Sequence, residues 1–165
     1  MNAVFVAMGS NIDPGARLQQ AARALKQRFP GPRFSACYRN SAFGFEGADF
    51  LNAVAGFDTA LPIGELLTVL RGIETQCGRG RADPKWGPRA IDLDLLLYGQ
   101  AVEQGSDYTV PRPDLTRRAY MLGPLAELAP QWRYPPAGPT IAELWERFPR
   151  GEHALHRDAL DLNAA

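Results

Sequence analysis

Apolar and polar residues follow two different periods along this chain, and the periods predict strands and helices in a definite order. Val4 to Met8 is a continuous apolar run of the kind found in a buried strand. Asp13-Pro14 then opens a helix, with Asp as the N-cap and Pro at the first helical position. Its apolar residues recur at helical spacing as far as Phe29, and Pro30-Gly31-Pro32 ends it.

The same periods predict two more strands, a second helix and a fourth strand. Residues Phe34 to Tyr38 alternate as a strand does, and Phe50 to Thr59 reads as the third strand. Pro62 opens a second helix, and Gly78 has the position expected of the glycine after a helix end. Ile91 to Tyr98 has the length and leucine content of a buried strand, although periodicity alone does not exclude a helix. The resulting order, β-α-β-β-α-β, predicts an α+β, ferredoxin-like antiparallel sheet with helices packed on it.

The 165 residues suit a single domain with a real core. We expect the core over residues 3–130, including a hairpin near residues 101–111 and one or two short helices over residues 114–128. A C-terminal α/β extension and a loose polar tail would occupy residues 131–165, with a last short helix near residues 141–148.

Composition narrows the class of protein. Apolar residues make up 45% and charged residues 22%, which are ordinary globular values. Eighteen basic and eighteen acidic residues cancel, which argues against a nucleic-acid or membrane-surface protein. The first residues do not read as a signal peptide, and no apolar run approaches the ~20 residues of a membrane span. Cys37 and Cys77 are spaced for neither a zinc site nor a redox motif, so we expect reduced, packed thiols in a cytoplasmic protein.

Two aspartates stand at the start of the fourth predicted strand. In a strand, Asp92 and Asp94 project from the same face because side chains alternate. Two carboxylates about 5 Å apart repel by roughly 3 kcal/mol at an effective dielectric constant near 20, and Mg²⁺ commonly binds one or two carboxylates. Either the pair binds a metal ion, or it lies at a strand end where both side chains face water. The segment from Arg79 to Arg89 carries four cations against one anion and suits an anionic ligand.

Short motifs follow one another from the first predicted strand to beyond the aspartates. They are Gly9-Ser10-Asn11, Phe50-Leu51-Asn52-Ala53, Ile73-Glu74, Gly78-Arg79 with Arg81, Trp86-Gly87-Pro88-Arg89, Asp92-Leu93-Asp94, Val110-Pro111, Arg118, Tyr120-Met121-Leu122 and Pro124-Leu125. In these motifs the chain resembles the 6-hydroxymethyl-7,8-dihydropterin pyrophosphokinase family of folate synthesis, over roughly residues 3–130. Seven matched positions fall within the nine residues from Trp86 to Asp94, and the family has the fold deduced above.

The resemblance implies an enzyme that transfers the β,γ-pyrophosphoryl group of ATP to the hydroxymethyl group of the reduced pterin and releases AMP. It implies that Asp92 and Asp94 hold two Mg²⁺ ions between the ATP phosphates and the pterin hydroxyl. The catalytic set is Asp92, Asp94, Arg79 and Arg89. The implied partners are the small molecules ATP and 6-hydroxymethyl-7,8-dihydropterin, without nucleic acid or membrane, and we expect a monomer.

The resemblance also assigns residues to each substrate. Those implied to contact the pterin are Asn40, Ala42, Phe43, Phe50, Asn52, Trp86 and Tyr120. Those implied to contact the nucleotide are Glu74, Arg81, Lys85, Trp86, Arg89, Leu95, Arg112 and Arg118. Phe50 and Tyr120 would stack on the pterin ring and Asn52 would bind its amide-like edge. On spacing alone, core packing of the two aromatic residues and a solvated basic loop are the alternatives.

Three replacements depart from the family pattern, and the loop from Gly44 to Asp49 also looks short and lacks the usual proline. Asn40-Ser41-Ala42-Phe43 replaces a Thr-x-Pro type segment, Lys85 replaces an arginine, and Arg112 stands where histidine is typical. These departures bear on affinity and substrate choice more than on the type of reaction.

Two other functions remain open at this point. One is a non-catalytic or altered-specificity paralogue that binds a pterin or nucleotide. The other is a ferredoxin-like interaction module whose basic loop contacts an acidic partner. The two aspartates in one strand argue against the interaction module, because it has no use for them.

Overall fold

The computed structural model of the chain describes residues 1–40, 48–78, 90–149 and 155–164. Within these ranges the helices and strands are β1 (Asn2–Ser10), α1 (Pro14–Arg28), β2 (Arg33–Phe34), β3 (Tyr38–Asn40), β4 (Phe50–Thr59), α2 (Ile63–Gln76), β5 (Asp92–Tyr98), β6 (Glu103–Gln104), β7 (Thr109–Val110), α3 (Ala119–Leu128), α4 (Ile141–Arg147) and β8 (His156–Arg157). A 3-10 turn over Pro113–Thr116 precedes α3. None of the helices in the described part of the chain is long and apolar enough to cross a membrane.

The main sheet has the strand order β5-β1-β4-β3-β8, and β2 also pairs with β4. Strand β1 is central, and its pairings with β4 and β5 are both antiparallel. Strands β6 and β7 form a separate two-stranded hairpin. The prediction of an antiparallel sheet combined with helices is therefore confirmed.

Helices cover both faces of this sheet. Val6 of β1 belongs to a buried cluster with residues of α1 and α2, such as Leu70. The next residue, Ala7, belongs to a second cluster with residues of α3 and α4, such as Leu122. We call these two sides the α2 face and the α3 face. Successive strand residues alternate between the faces, so every second residue of β1 and β4 is available to the α3 face; in β5 an irregularity in the pairing puts both Leu96 and Leu97 there.

The second predicted strand is split in the structure into β2 and β3, which both pair with β4. Ser35 lies between them, and its backbone N–H donates to the Val54 carbonyl at 2.9 Å. Its side-chain oxygen accepts the Val54 N–H, also at 2.9 Å, in place of a backbone carbonyl. A hydroxyl that replaces a backbone carbonyl as acceptor interrupts the regular row of backbone hydrogen bonds between two strands. The alternation of apolar residues in the sequence does not reveal such an interruption.

Helix α1 begins where the sequence predicts, but its cap differs from the prediction. Asp13 is at the N-cap position with a left-handed backbone (φ 50°), and its side chain makes no capping hydrogen bond. Pro14 at the first helical position lacks an N–H, so one of the donors that a cap would satisfy does not exist. Helix α4 has the complete capping box instead, with Thr140 and Glu143 bonding reciprocally.

Residues 155–164, expected from their polarity to be loose, lie against β2 and β3, and we call them the C-terminal strap. β8 pairs with β3, and Leu162 is completely buried in the α2-face cluster. The Asn163 side chain accepts the Phe34 N–H at 3.0 Å and donates to the Phe34 carbonyl at 2.8 Å. The Lys26 ammonium donates to the Leu162 carbonyl at 2.7 Å. A single buried leucine within a polar stretch gives no periodic signal, which is why the sequence suggests looseness.

Candidate active site

The central feature of the site is a row of three paired residues across β4, β1 and β5. Gly9 of β1 pairs with Asn52 of β4 on one side and with Asp92 of β5 on the other. Directly opposed residues share a face, so the Asn52 amide and the Asp92 carboxylate both project to the α3 face, with strands about 4.8 Å apart. Asp94, opposite Ala7, projects from the same face. Strand register therefore brings an amide and two carboxylates to one surface.

Gly9 is required by the close approach of the Asn52 amide. A Cβ atom at position 9 would lie 2.7 Å from the Asn52 Oδ1, a distance that real side chains do not show. Asn52 is only 5% exposed, and its Nδ2 donates to the Oδ1 of Asn40 on the neighbouring β3. This bond and the bare backbone of Gly9 hold the amide between β3 and the aspartates.

Two aromatic residues border this row. Phe50 is half-buried at the start of β4, opposite Asn40. Tyr120 is half-buried in the first turn of α3 and packs on the α3-face cluster. Burial raises the pKa of the Tyr120 phenol, Arg118 opposes the rise, and the charges of Asp94, Asp114 and Asp92 add to it. The Tyr120 ring therefore lies within electrostatic range of the aspartate pair.

In the described part of the chain, one ion pair links Asp94 to an arginine. The side chain of Asp94 is 19% exposed, and the nearest guanidinium nitrogen of Arg112 is 3.7 Å from its Oδ1. Burial, and after it the neighbouring charge of Asp92, raise the pKa of Asp94 to about 7, while Arg112 and Arg71 oppose the rise. An additional cation at this position would lower the free energy of both ionised side chains.

Oxygen donors of this kind fit Mg²⁺, which takes one or two carboxylates and fills its other positions with water and phosphate oxygens. In the described ranges no group of three or more His, Cys, Asp or Glu side chains could hold a metal ion. Among the described residues, a metal ion at this position would have two carboxylate ligands, Asp92 and Asp94, and its other positions would be open to substrate and solvent. That combination is typical of a site where a metal ion binds with a phosphorylated substrate.

Two arginines predicted to contact nucleotide lie at this end of the sheet. The Arg112 backbone N–H donates to the Leu96 carbonyl at 2.9 Å, which fastens this segment to the outer edge of β5. Arg118 is at the N-cap position of α3, two residues before Tyr120, and its charge reaches the Tyr120 phenol. Both arginines are half-buried and come from segments far along the chain from the aspartates.

Two other predicted nucleotide contacts have different surroundings. Glu74 is 3% exposed, and its carboxylate accepts the Leu93 N–H at 2.7 Å and pairs with Arg71 at 2.7 Å. Leu95 is 4% exposed and packs in the α2-face cluster, so its side chain points away from the aspartates. Contact of either residue with nucleotide stays a prediction.

Seven predicted site residues lie outside the described part of the chain. They are Ala42, Phe43, Arg79, Arg81, Lys85, Trp86 and Arg89. The structure brings together the remaining members that face α3, namely Asn40, Phe50, Asn52, Asp92, Asp94, Arg112, Arg118 and Tyr120.

Sequence reasoning overlooked Arg71. Its guanidinium donates to the Leu93 carbonyl at 2.6 Å as well as to Glu74, so it contacts the residue between the two aspartates. The signal that could have identified it is its spacing of three residues from Glu74 on an otherwise apolar side of α2.

Comparison with known proteins identifies the family. A family model described as 7,8-dihydro-6-hydroxymethylpterin-pyrophosphokinase (HPPK) matches residues 5–130. The chain belongs to this family. A relative of this chain from Synechocystis is named 2-amino-4-hydroxy-6-hydroxymethyldihydropteridine pyrophosphokinase. It is 39% identical to this chain over 145 residues, which are 86% of this chain and 74% of the relative. A Pseudomonas aeruginosa protein of the same name is 40% identical over 137 residues, 80% of this chain and 83% of that protein.

Solved structures show the HPPK fold independently. A crystal structure of wild-type Plasmodium falciparum HPPK-DHPS with pteroate superposes with a TM-score of 0.69 over 89% of this chain, at 12% sequence identity. This chain spans 42% of that Plasmodium chain. At such low identity the likeness concerns the fold alone, and the sequence relatives carry the family assignment.

Proposed function

We propose that this site carries out the reaction for which the HPPK family is named, with ATP as the donor. The oxygen of the hydroxymethyl group of 6-hydroxymethyl-7,8-dihydropterin bonds to the β-phosphorus of ATP, and the bond from that phosphorus to the oxygen bridging to the α-phosphate breaks. The hydroxyl proton is lost, and the products are the pterin diphosphate and AMP. The chain is thus an ATP-dependent pyrophosphokinase of folate synthesis. The observation that carries the proposal is the row of Asn52, Gly9 and Asp92, with Asp94 beside it.

The amide end of this row suits the pterin. A pterin presents an amide-like edge with a donor and an acceptor, and the Asn52 side chain offers both. Asn40 holds one end of that amide, which leaves its orientation defined before substrate binds. We assign the ring faces to Phe50 and Tyr120, since stacked aromatic rings contribute about 0.5–1.5 kcal/mol beyond burial.

The carboxylate end suits a magnesium-bound triphosphate, and we assign two Mg²⁺ ions to Asp92 and Asp94. Bound Mg²⁺ would neutralise phosphate charge and make the attacking hydroxyl more acidic. Arg112 and Arg118 approach from the α3 side, and their positive charges would neutralise part of the phosphate charge. We assign the same role to Arg79, Arg81, Lys85 and Arg89, and a contact to Trp86, on the family motif alone.

The test is an assay of AMP formation from ATP and Mg²⁺, with and without 6-hydroxymethyl-7,8-dihydropterin. We expect AMP only when the pterin is present, and the pterin diphosphate in equal amount. AMP release that ignores the pterin would contradict the proposal. Tight calorimetric binding of pterin or ATP without any product would instead favour a non-catalytic paralogue, the alternative suggested by Arg112 and by the segment after Asn40.

We further propose a ferredoxin-like core with a C-terminal extension in one domain. The strand order β5-β1-β4-β3 and the two helices on the α2 face support the core assignment. We also propose a monomeric, cytoplasmic enzyme. Cys37 and Cys77 are unpaired and buried, which suits a reducing compartment, and sedimentation of the purified chain tests the oligomeric state.

A further inference from the structure

The backbone of Leu93 is bonded by two side chains of α2. Its N–H donates to Glu74 Oε2 at 2.7 Å, and its carbonyl accepts from Arg71 Nη2 at 2.6 Å. Arg71 Nη1 also donates to Glu74 Oε1 at 2.7 Å, which closes a ring of hydrogen bonds through all three residues. We call this ring the Arg71–Glu74 clamp.

The clamp provides the hydrogen bonds that a neighbouring strand would otherwise make with Leu93. β5 is the last strand in the sheet order, and in the described ranges no strand pairs with Leu93 on the edge away from β1. In an antiparallel ladder, a hydrogen-bonded pair of residues exchanges two N–H to carbonyl bonds, and the two side chains together supply the equivalent pair to Leu93. Bonds that involve charged groups are about twice as strong as neutral ones. Leu93 is fully buried and Glu74 nearly so, which adds to their strength.

The clamped residue lies between the two aspartates. Rotation of the Leu93 backbone would turn Asp92 and Asp94 away from their shared face, and their mutual repulsion favours such a rotation. The clamp opposes it from the other side of the strand. Arg71 is half-exposed on the α2 side, and its hydrogen bond to Leu93 reaches the aspartate segment in addition to the effect of its charge on Asp94.

We propose that Arg71 is a positioning residue which, with Glu74, holds Leu93 so that Asp92 and Asp94 stay aligned for the metal-bound triphosphate. The inference rests on the proposed function, because alignment of the aspartates matters only if they act together. The simpler alternative is an ion pair that stabilises α2 and has no influence on the site. The two differ in what happens at the aspartates when Arg71 is replaced.

The experiment compares Arg71→Gln, Arg71→Lys and a control, Arg147→Gln. Arg147 is an exposed arginine of α4 that pairs with Glu143 at 3.7 Å, so its loss removes a similar ion pair away from the site. Two quantities are measured: amide hydrogen exchange at Leu93 in the protein alone, and kcat with the Mg²⁺ concentration for half-maximal activity. Exchange needs no substrate, so it reports on the clamp even if the parent protein fails the AMP assay.

For Arg71→Gln we expect faster exchange at Leu93, and a rise in the half-maximal Mg²⁺ concentration or a fall in kcat of about 10- to 100-fold, the usual effect of losing a partner that orients metal ligands. The KM for the pterin should stay unchanged. In Arg71→Lys we expect both the exchange at Leu93 and the Mg²⁺ dependence to lie between those of the parent and Arg71→Gln. The rescue is incomplete because one ammonium cannot bond Leu93 and Glu74 in the fork geometry of a guanidinium. Arg147→Gln should change neither quantity.

A lower melting temperature in Arg71→Gln, with parental exchange at Leu93 and parental Mg²⁺ dependence, would overturn the proposal. Equal activity of Arg71→Lys and Arg71→Gln at every Mg²⁺ concentration would also overturn it. If Arg71→Gln does not fold, Arg71→Lys decides between the two explanations by the same two measurements.

Discussion

Two carboxylates lie on opposite sides of β5, and their surroundings differ. Glu74, on the α2 side, has a guanidinium nitrogen at 2.7 Å and a backbone N–H at 2.7 Å. Asp94, on the α3 face, has its arginine at 3.7 Å and a second aspartate two residues away. Both are largely buried, so both would be costly in the absence of compensation. Within the described residues, Glu74 is therefore compensated more closely than Asp94.

The difference separates a carboxylate that supports the fold from one that awaits a ligand. A buried charge with complete hydrogen bonding keeps its place whatever binds nearby. A buried charge with incomplete compensation gains most when a cation arrives, and pKa values displaced in this way are common at functional sites. Replacement of Glu74 should accordingly act mainly on stability, and replacement of Asp94 mainly on activity.

The largest expected effect is on catalysis. Asp94→Asn keeps the shape of the side chain and removes its charge, so pyrophosphoryl transfer should fall by at least about 10³-fold, the scale of losing electrostatic stabilisation at such a site. Asp58→Asn, an exposed aspartate of β4, is the control and should retain parental activity. The coupled AMP assay measures both, and near-parental turnover by Asp94→Asn would show that the Asp94 charge is not needed for the transfer.

The corresponding change on the α2 side should act on stability. Glu74→Ala leaves the Leu93 N–H and the Arg71 guanidinium without their partner, and we expect a loss of about 2–4 kcal/mol in the free energy of unfolding. Glu65→Ala, an exposed glutamate of the same helix, should cost much less. Urea denaturation measures the difference, and equal stability of the two variants would show that Glu74 is not a supporting group.

The α3 face should also be sensitive to one added methyl group. Gly9→Ala places a Cβ against the Asn52 amide, which must shift, and we expect the KM for the pterin to rise about tenfold, equivalent to about 1.4 kcal/mol. Gly15→Ala is the control, because a Cβ there meets no atom within 4 Å. Steady-state kinetics with varied pterin decide, and an unchanged KM in Gly9→Ala would mean that the Asn52 amide is not held at the site.

The smallest expected effect is a gain of stability in Asp94→Asn, the variant expected to lose activity. The pKa of Asp94 is raised from 3.8 to about 7 in the folded protein, so the folded state binds this proton more tightly than the unfolded state does. The parent therefore loses stability as the pH rises from about 4 to about 7. Without divalent cations, Asp94→Asn should be more stable than the parent by about 1–2 kcal/mol at pH 8, and the difference should vanish near pH 4. Thermal unfolding at both pH values tests this, and a less stable variant at pH 8 would contradict it.

The sequence predicts those parts of the molecule that depend on local pattern. Phe50–Thr59 is a strand with the predicted bounds, and β5 begins one residue later than expected. The common face of Asp92 and Asp94 follows from alternation alone. Their predicted role in binding metal rests on the family motif, because two aspartates at a strand end could equally face water.

What the sequence does not predict depends on which segments meet. No local pattern shows that Gly9 lies between Asn52 and Asp92, because strand register is set by contacts between distant segments. The contact of Arg71 with Leu93 depends on how α2 packs beside the sheet edge, and the burial of Leu162 depends on the groove that it fills. These are tertiary interactions, and they override the weak local preferences of the segments concerned.

The C-terminal strap bears on how long a folded molecule lasts. Its bonds from Asn163 to Phe34 and from Lys26 to Leu162 join residues 129 and 136 positions apart. Closing such long loops costs conformational entropy, so we expect these contacts to form late in folding. Interactions absent from the folding transition state slow unfolding and leave the folding rate almost unchanged. We therefore expect the strap to lengthen the lifetime of the native state, so that loss of its contacts would speed unfolding more than it slows folding.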